Sequence, residues 1–361
     1  MKKRLIGLSP DLIIHPGETL KELLEDNRMS QEELAIRTGY SAKHVSEVLN
    51  GKKAISTKFA NSLEYVFGIP ASFWINLQFN YDNEILEIEK LNCIEEKELN
   101  VLDELKDVVK YCEDIDILER NLNKSLKVLN LRKFLNINDL TSIPNLPLQQ
   151  VAFRGSKKNR VNINVLYAWQ KICEYLTEQE KISEEFDVEK LKSKYDEIKS
   201  TMFLEPNLMM SKLKEIFKEC GVVFEIVKHF TGAPVQGYIQ KRSDTVSLCM
   251  TIRQSFSDIF WFTLFHEIGH LLNDDFSNQY IDYSFIDSES EKRADLFARD
   301  TLINLDDYNA FLAKNNFDIE TIKQFAKTQN VVPGIVIGRI QNDLKDYKFM
   351  AAYKERYKWV V

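Results

Sequence analysis

The order of apolar and polar residues predicts a run of short helices in the first part of the chain. Ser30 and Glu33 form a capping box, and Ser41 is placed to cap another helix just after Gly39. Together with the His15-Pro16-Gly17 start, these signals predict helices at about residues 18–27, 31–38 and 42–49. Their buried positions carry apolar residues at helical spacing: Leu20, Leu23, Leu24, Leu34, Ala35, Val45, Val48 and Leu49.

Helical spacing continues in a more acidic setting beyond residue 80. Two connecting helices are predicted between about residues 81 and 119, with carboxylates such as Glu98 on a solvated face. A short helix from Leu126 to Leu135 follows, and Thr141–Pro147 is the clearest linker. The next helical block covers about residues 164–179 and 188–202.

Three runs rich in β-forming residues then predict a small sheet: Val222–Val227, Val235–Gln240 and Thr245–Met250. A buried helix is predicted after the sheet, because apolar residues follow helical spacing there: Ile259, Phe262, Phe265, Ile268 and Leu272. Further helices are predicted at about residues 289–302, 319–328 and 332–341. The expected fold class is therefore mainly α with a small β-sheet (α+β).

Composition fits an ordinary globular protein of two or three domains. The 361 residues are 44% hydrophobic and 29% charged, which suffices for a buried core. No run approaches the roughly 20 apolar residues of a membrane span and no signal peptide is evident. With five scattered cysteines, this predicts a cytoplasmic protein with reduced thiols and no membrane partner.

The apolar helix also carries candidate metal-binding chemistry. His266 and His270 are four positions apart and share a helix face, so they can bind one metal ion together. Glu267 is not a ligand in this interpretation but a general base that reaches the metal's water. A third ligand must come from elsewhere, and Glu291 is assigned, with Glu289 as the fallback.

Asp295 follows Glu291 by one helical turn. In that position it can orient a ligand histidine through the free ring nitrogen. A lone histidine on an apolar face is usually a core residue, and acidic helices usually face solvent. Two histidines around a glutamate at this spacing are much less common by chance, so a Zn²⁺ site is predicted, with Mn²⁺ as the alternative metal.

The segment from about residue 213 to 302 resembles the ImmA/IrrE family of zinc-dependent peptidases. The resemblance is carried by Phe262-Thr263-Leu264-Phe265-His266-Glu267-Ile268-Gly269-His270 and by Glu291-Lys292-Arg293-Ala294-Asp295-Leu296-Phe297-Ala298. Arg293 stands where the family often has another glutamate, which favours Glu291 as the shared ligand. The resemblance implies cleavage of a helix-turn-helix repressor.

The predicted helix at 42–49 is the candidate recognition helix of a helix-turn-helix motif. Its outward side chains nominated for DNA contact are Lys43, His44, Ser46 and Glu47, and Lys52 and Lys53 follow at its exit. The net charge of −7 argues against nucleic acid along the whole surface. Residues 28–61, however, carry six basic residues against three acidic ones, a local charge of +3. The alternative to a DNA-binding domain is a helical scaffold that has lost DNA binding.

About the first 80 residues resemble the XRE-type helix-turn-helix of HigA-like antitoxins. The matching stretches are His15-Pro16-Gly17-Glu18, Met29-Ser30-Gln31-Glu32-Glu33-Leu34-Ala35, Val45-Ser46-Glu47-Val48-Leu49-Asn50-Gly51 and Phe73-Trp74-Ile75-Asn76-Leu77-Gln78. The resemblance implies a homodimeric repressor on double-stranded operator DNA and a toxin–antitoxin-like setting with a toxin partner.

The predicted organisation has three parts: a helix-turn-helix domain at 1–79, an acidic helical connector at 80–150 and a metallopeptidase domain at 151–361. The combined hypothesis is a transcriptional regulator fused to a zinc endopeptidase that cleaves a repressor or its own linker. The alternative is a non-enzymatic, antitoxin-like repressor whose metal site is structural or sensory. Structural zinc sites normally have four protein ligands and only three good ones are found, which favours catalysis.

Overall fold

The computed structural model describes residues 13–146, 161–242, 245–253, 255–273, 279–283 and 289–358, with the backbone alone at 91, 92, 242 and 279–283. The chain divides into two compact units, residues 1–96 and 97–361. The predicted connector is therefore shared between the units, and the expected boundary at 150/151 lies outside the described residues. Within the described ranges, no helix is both long and apolar enough to cross a bilayer.

Five helices make up the described part of the first unit: α1 (Pro16–Asp26), α2 (Gln31–Thr38), α3 (Ala42–Leu49), α4 (Thr57–Phe67) and α5 (Ala71–Asn92). The three helices predicted at its start are confirmed. Ser30 and Ser41 accept hydrogen bonds from the backbone N–H of the third residue of α2 and α3, as their capping role requires. The buried core of this unit includes Leu20, Leu34, Val45, Leu49, Phe59, Leu63 and Trp74.

The first turn of α1 shows why this unit begins with His-Pro-Gly. The Nδ1 atom of His15 accepts a hydrogen bond from the N–H of Gly17 at 2.9 Å, and Pro16 occupies the first helical position, where no N–H is needed. A Cβ atom on Gly17 would lie 2.2 Å from the carbonyl oxygen of Val48. Glycine is therefore required for α1 to approach the end of α3.

The second unit begins with helices and a short 3-10 segment: α6 (Glu96–Glu104), α7 (Lys106–Asp114), α8 (Lys124–Leu135), the 3-10 segment Leu140–Asn145, α9 (Ile163–Gln179), α10 (Val188–Ser193), α11 (Tyr195–Ser200) and α12 (Pro206–Glu219). Glu98 was expected on a solvated face, and this expectation is wrong. Its carboxylate is buried, pairs with Arg132 and accepts the N–H of Leu140 at 2.9 Å. The carboxylate tolerates burial because both of its oxygens have hydrogen-bond partners.

A four-stranded sheet follows, with β1 (Val222–Val227), β2 (Val235–Arg242), β3 (Thr245–Thr251) and β4 (Gln279–Tyr283). The strand order is β1-β3-β2-β4. β1 and β3 are parallel, and the other two pairs are antiparallel. The three predicted strands are confirmed, whereas β4 was not predicted. The fold class, mainly α with a small sheet, is also confirmed.

In the described part of the second unit, the sheet is accompanied by five further α-helices and a short 3-10 segment: α13 (Ser257–Asn273), α14 (Glu289–Leu302), α15 (Leu305–Ala313), α16 (Ile319–Thr328), α17 (Pro333–Leu344) and the 3-10 segment Ala351–Tyr353. α13 is buried almost all round, as predicted for this apolar segment. Trp261 and Leu264 are fully buried, whereas Phe262, expected inside, is 37% exposed. The sheet, α12 and the helices after α14 share one core with α13.

A segment near the end of the described chain anchors the start of α13. Lys354 forms a buried ion pair with Asp258, with Nζ and Oδ2 2.6 Å apart. The backbone N–H of Ser257 donates to the carbonyl of Glu355, and the indole of Trp261 donates to the hydroxyl of Tyr357. The segment 354–357 therefore belongs to the packing of α13.

Candidate metal centre and helix-turn-helix face

Two imidazole rings meet on one face of α13. His266 and His270 lie one helical turn apart, both are buried, and their Nε2 atoms are 3.1 Å apart. The rings stand nearly perpendicular, with centroids 4.8 Å apart. The i, i+4 spacing therefore brings one nitrogen of each ring to a common point.

Glu291 of α14 completes this group. Its Oε2 lies 3.2 Å from Nε2 of His266, and its Oε1 lies 3.5 Å from Nε2 of His270. One ligand atom from each of the three residues lies within 4.8 Å of the others. Ligands of a tetrahedral Zn²⁺ at 2.0–2.1 Å are roughly 3.3 Å apart, so the spacing and the donor types fit such an ion.

Close packing of two helices delivers Glu291 to the histidines. A Cβ atom on Gly269 would lie 3.1 Å from the Cα of Ala294, so the backbones of α13 and α14 nearly touch there. Ala294, Ala298 and Leu302 are buried on α14, as the sequence predicted. Glu289, the fallback ligand, is exposed at the first residue of α14 and does not join the cluster found among the described residues.

Each histidine has a partner on its other ring nitrogen. Asp295 Oδ1 lies 2.8 Å from Nδ1 of His266, in the place that the sequence interpretation assigned to it. Ser290 Oγ lies 3.4 Å from Nδ1 of His270, a contact that the interpretation did not include. These partners favour a proton on Nδ1 and leave Nε2 with its lone pair toward the cluster.

The Glu267 side chain is fully buried against strand β2. A Cβ atom on Gly237 would lie 2.0 Å from Oε1 of Glu267, so the strand passes directly over the carboxylate. The pairing of β2 with β4 is irregular between Val235 and Tyr238, at this same place. Sequence reasoning missed Gly237, although a glycine inside a strand is a recognised sign of a close approach.

The face of α3 has a different character. Lys43 is 85% exposed, and Glu47 lies 3.9 Å from its ammonium group and 3.8 Å from that of Lys53. Lys52 is exposed at the exit of the helix, and Ser46 accepts a hydrogen bond from the Asn50 amide at 3.3 Å. These side chains form a mainly basic strip in which the three lysines are exposed and Ser46 and Glu47 are half-buried. The strip is here called the α3 strip: Lys43, Ser46, Glu47, Lys52 and Lys53.

His44 does not belong to the α3 strip, although it was nominated for DNA contact. Its ring packs between Tyr40 and Phe59, with centroid distances of 4.5 and 5.0 Å. Burial, and secondarily the charge of Lys53, lower the pKa of His44 below its ordinary value. The side chain therefore supports the core rather than the outer surface of α3.

Comparisons with known proteins concern the first part of the chain. A family profile described as helix-turn-helix matches residues 20–74, which span most of α1, all of α2 to α4 and the start of α5. The virulence-associated protein I of Dichelobacter nodosus is 33% identical over 78 residues, or 21% of this chain and 72% of that protein. His266, His270 and Glu291 lie outside the profile match.

The solved structures that match also cover only about a quarter of this chain. The Pseudomonas aeruginosa antitoxin HigA with the higBA promoter is 31% identical, covering 23% of this chain and 97% of that chain at a TM-score of 0.22. PA4674 of Pseudomonas aeruginosa in complex with its operator DNA is 34% identical, covering 22% and 84% at a TM-score of 0.21. An addiction module antidote protein of a HigA family from Coxiella burnetii is 29% identical, covering 27% and 92% at a TM-score of 0.20.

Proposed function

The chain belongs to the helix-turn-helix family, and from that premise we propose that it is a DNA-binding transcriptional regulator carrying a metal-dependent endopeptidase in its second unit. The observation that carries the enzymatic half is the convergence of Glu291 with His266 and His270, whose helix also carries the buried carboxylate of Glu267. The resemblance of the same motifs to ImmA/IrrE peptidases supports it.

The α3 strip supports the regulatory half. In a helix-turn-helix the second helix enters the major groove, and lysines at its ends contact phosphates. Lys43 and Lys52 are exposed for such contacts, and Ser46 is the candidate for reading a base edge. We assign double-stranded operator DNA as the nucleic-acid partner, bound by a homodimer. A toxin partner is part of the same antitoxin-like proposal.

The chain's own residues account for the handling of protons in peptide hydrolysis. His266, His270 and Glu291 would hold Zn²⁺ or Mn²⁺, and the bound ion would supply Lewis acidity for the scissile carbonyl. Glu267 accepts the proton of the attacking water and passes it to the departing amine. Asp295 and Ser290 hold the imidazole rings in one tautomer and orientation. The proposed substrate is a helix-turn-helix repressor or this chain's own linker.

A mixing experiment with full-length chains tests this proposal. A ¹⁵N-labelled Glu267→Gln chain serves as substrate, and the unlabelled wild-type chain, loaded with Zn²⁺ or Mn²⁺, serves as enzyme. Intact mass spectrometry should reveal a metal-dependent cut between residues 81 and 150 of the labelled chain. The control uses unlabelled Glu267→Gln as the enzyme, because this residue is not a ligand and the variant should still bind metal.

Each outcome of the mixing experiment has a definite meaning. Equal cutting by wild type and Glu267→Gln would contradict the assigned role of Glu267. Absence of cutting in this pair would contradict cleavage of one copy of the chain by another, and the same assay with a helix-turn-helix repressor then tests the other substrate. Stoichiometric metal binding and operator binding without any cutting would favour the non-enzymatic regulator with a structural or sensory metal site.

A further inference from the structure

A cavity of about 400 Å³ lies in the helical first part of the second unit. It is lined by α8, by α9 and by the segment that follows α7. Pockets that enclose a small ligand usually measure roughly 300–1,000 Å³. The cavity therefore suits a compound of low molecular mass.

Part of the lining is apolar. Ile117 and Leu118 supply aliphatic surface, and Phe134 and Tyr175 supply aromatic rings. The two rings are in edge-to-face contact, with centroids 6.1 Å apart. Another apolar or aromatic group packs favourably against such a surface. A matching ligand therefore carries a hydrocarbon or aromatic group.

The same cavity offers one carboxylate and one ammonium group to a ligand. Glu119 and Lys133 line it, both are exposed, and neither side chain has an ion-pair partner in the described parts of the chain. The other charged residues of the lining, Lys171, Glu174 and Glu178, already interact within the chain. One available charge of each sign is complementary to a zwitterion.

Neutral polar groups complete the lining. The side-chain amides of Asn130 and Asn136 and the hydroxyl of Tyr175 form no hydrogen bond with any residue that the structure describes. An amide side chain can donate to a carboxylate and accept from an ammonium group. These groups therefore suit the same two ends of a zwitterion as Glu119 and Lys133 do.

An ion pair within the lining holds α9 in place. Nζ of Lys171 lies 2.7 Å from Oε2 of Glu174. The hydroxyl of Tyr238, a residue buried in strand β2, donates to Oε1 of the same carboxylate at 3.4 Å. These contacts tie α9 to the sheet. A lining that is fixed before binding reduces the entropy lost when a ligand is bound.

We propose that this cavity binds a free amino acid with an aromatic or branched aliphatic side chain. Lys133 pairs with the carboxylate of the amino acid, Glu119 pairs with its ammonium group, and the apolar part of the lining receives its side chain. None of the candidate catalytic residues lines the cavity, so the amino acid is a ligand and not a substrate. The proposal does not depend on the peptidase function.

Isothermal titration calorimetry on the full-length chain tests the ligand class. Phenylalanine and leucine should bind, and glycine, which lacks the apolar group, should bind at least about tenfold more weakly. Phenylalaninamide lacks the carboxylate, and N-acetylphenylalanine lacks the ammonium group. Each derivative should bind about fivefold more weakly than phenylalanine, which is the upper range for an exposed ion pair.

Two variants assign each charged group of the ligand to its partner. Lys133→Gln should abolish the difference between phenylalanine and phenylalaninamide and retain the difference from N-acetylphenylalanine. Glu119→Gln should do the opposite. Lys124→Gln is the matched control, because Lys124 is exposed on the same helix as Lys133 but pairs with Asp103. This control should retain both differences.

The proposal would be overturned if neither phenylalanine nor leucine bound at concentrations up to about 10 mM. Equal binding of glycine and phenylalanine would also overturn it, because the apolar lining would then have no role. Differences that persist in both variants would place the amino acid elsewhere, for example on a metal ion held by His266 and His270. Since no step uses peptide cleavage, failure here leaves the peptidase proposal untouched.

Discussion

The α3 strip and the candidate metal site (His266, His270 and Glu291) present their side chains in opposite ways. Lys43 is exposed on α3, a short helix with a serine N-cap and an asparagine C-cap, and Lys52 is exposed just beyond the end of this helix. His266 and His270 are buried in an apolar helix, and residues more than twenty positions away complete their surroundings. The α3 strip consists of residues that are close together in the sequence, whereas the candidate metal site depends on contacts between residues that are distant in the sequence.

This difference decides what a substitution can reveal. Removing an exposed lysine changes the affinity for a partner and leaves the core intact, since such changes usually stay within about 0.5 kcal/mol of stability. Removing a buried polar group from the cluster leaves its neighbours unsatisfied, which costs about 1–3 kcal/mol in addition to any functional loss. Tests of the cluster therefore need variants that separate geometry from stability.

Gly237→Ala should have the largest effect on the proposed activity. The added methyl group would meet the Glu267 carboxylate at 2.0 Å. This carboxylate is the end of a flexible side chain, so it should move while the fold survives. We expect a loss of peptidase rate of about 10²–10⁴-fold with metal binding retained, because general-base catalysis contributes that much. Unchanged activity in the mixing assay would show that the position of Glu267 beside β2 does not matter.

Asp295→Asn should weaken metal binding by about 10–100-fold, the usual effect of removing a partner that orients a histidine ligand. The change affects the contact at 2.8 Å with Nδ1 of His266. Competition with a chelator measures the affinity. Asp300→Asn is the matched control, because Asp300 lies on the same helix and pairs with Arg299 instead. Equal losses in the two variants would argue against a positioning role for Asp295.

The dipeptide Pro-Gly opens a helix in each unit and allows a direct comparison. Gly17→Ala would place a methyl group 2.2 Å from the Val48 carbonyl, whereas Gly334→Ala would meet its nearest neighbour at 3.7 Å. We expect Gly17→Ala to destabilise the first unit by about 1–3 kcal/mol. Gly334→Ala should be neutral or stabilising by up to about 1 kcal/mol. Hydrogen exchange resolved by unit measures both, and similar effects would contradict the close contact at Gly17.

Lys43→Ala and Lys52→Ala should each weaken operator binding at low salt. Each lysine that contacts a phosphate should reduce the slope of log K against log salt concentration by about 0.9. Electrophoretic shifts over a salt series give this slope. Lys21→Ala is the control, since Lys21 pairs with Glu18 on α1 at 2.6 Å. If the slope changes equally in all three variants, the α3 strip has no special role.

The smallest effect concerns the pH dependence of α1. Burial is the main cause of the lowered pKa of His15, whose neutral Nδ1 caps the helix. Because the folded pKa lies below the unfolded value of about 6.5, the unfolded chain binds more protons as pH falls below that value. Protection of α1 in hydrogen exchange, corrected for intrinsic rates, should therefore decline below about pH 6.5. His15→Asn, a cap that does not titrate, should remove this decline.

The sequence predicted best those elements whose signals are local. Ser30 and Ser41 sit within a few residues of the N–H groups that they cap, so α2 and α3 could be located from the chain alone. The pair His266 and His270 is also local, because both lie on one helix. Glu291 lies on a second helix, so the spacing of the two histidines does not predict its approach to them. In the structure its carboxylate lies beside both rings.

The remainder depends on contacts that no short window contains. Glu98 is buried because Arg132 and Leu140, more than thirty positions away, satisfy its oxygens. His44 has an outward position by helical spacing, but Tyr40 and Phe59 enclose its ring. β4 is a five-residue strand whose place depends on pairing with β2, forty positions earlier. In each case the partner, rather than the residue itself, determines the environment.

The anchoring of α13 by residues 354–357 has a practical consequence for anyone who expresses or dissects this protein. A fragment chosen by its motifs would stop near Leu302, where α14, the helix that carries Glu291, ends. It would lack Lys354 and Tyr357, and so leave the carboxylate of Asp258 and the indole of Trp261 without the groups that satisfy them. The shortest useful fragment containing the histidines must therefore extend through Tyr357.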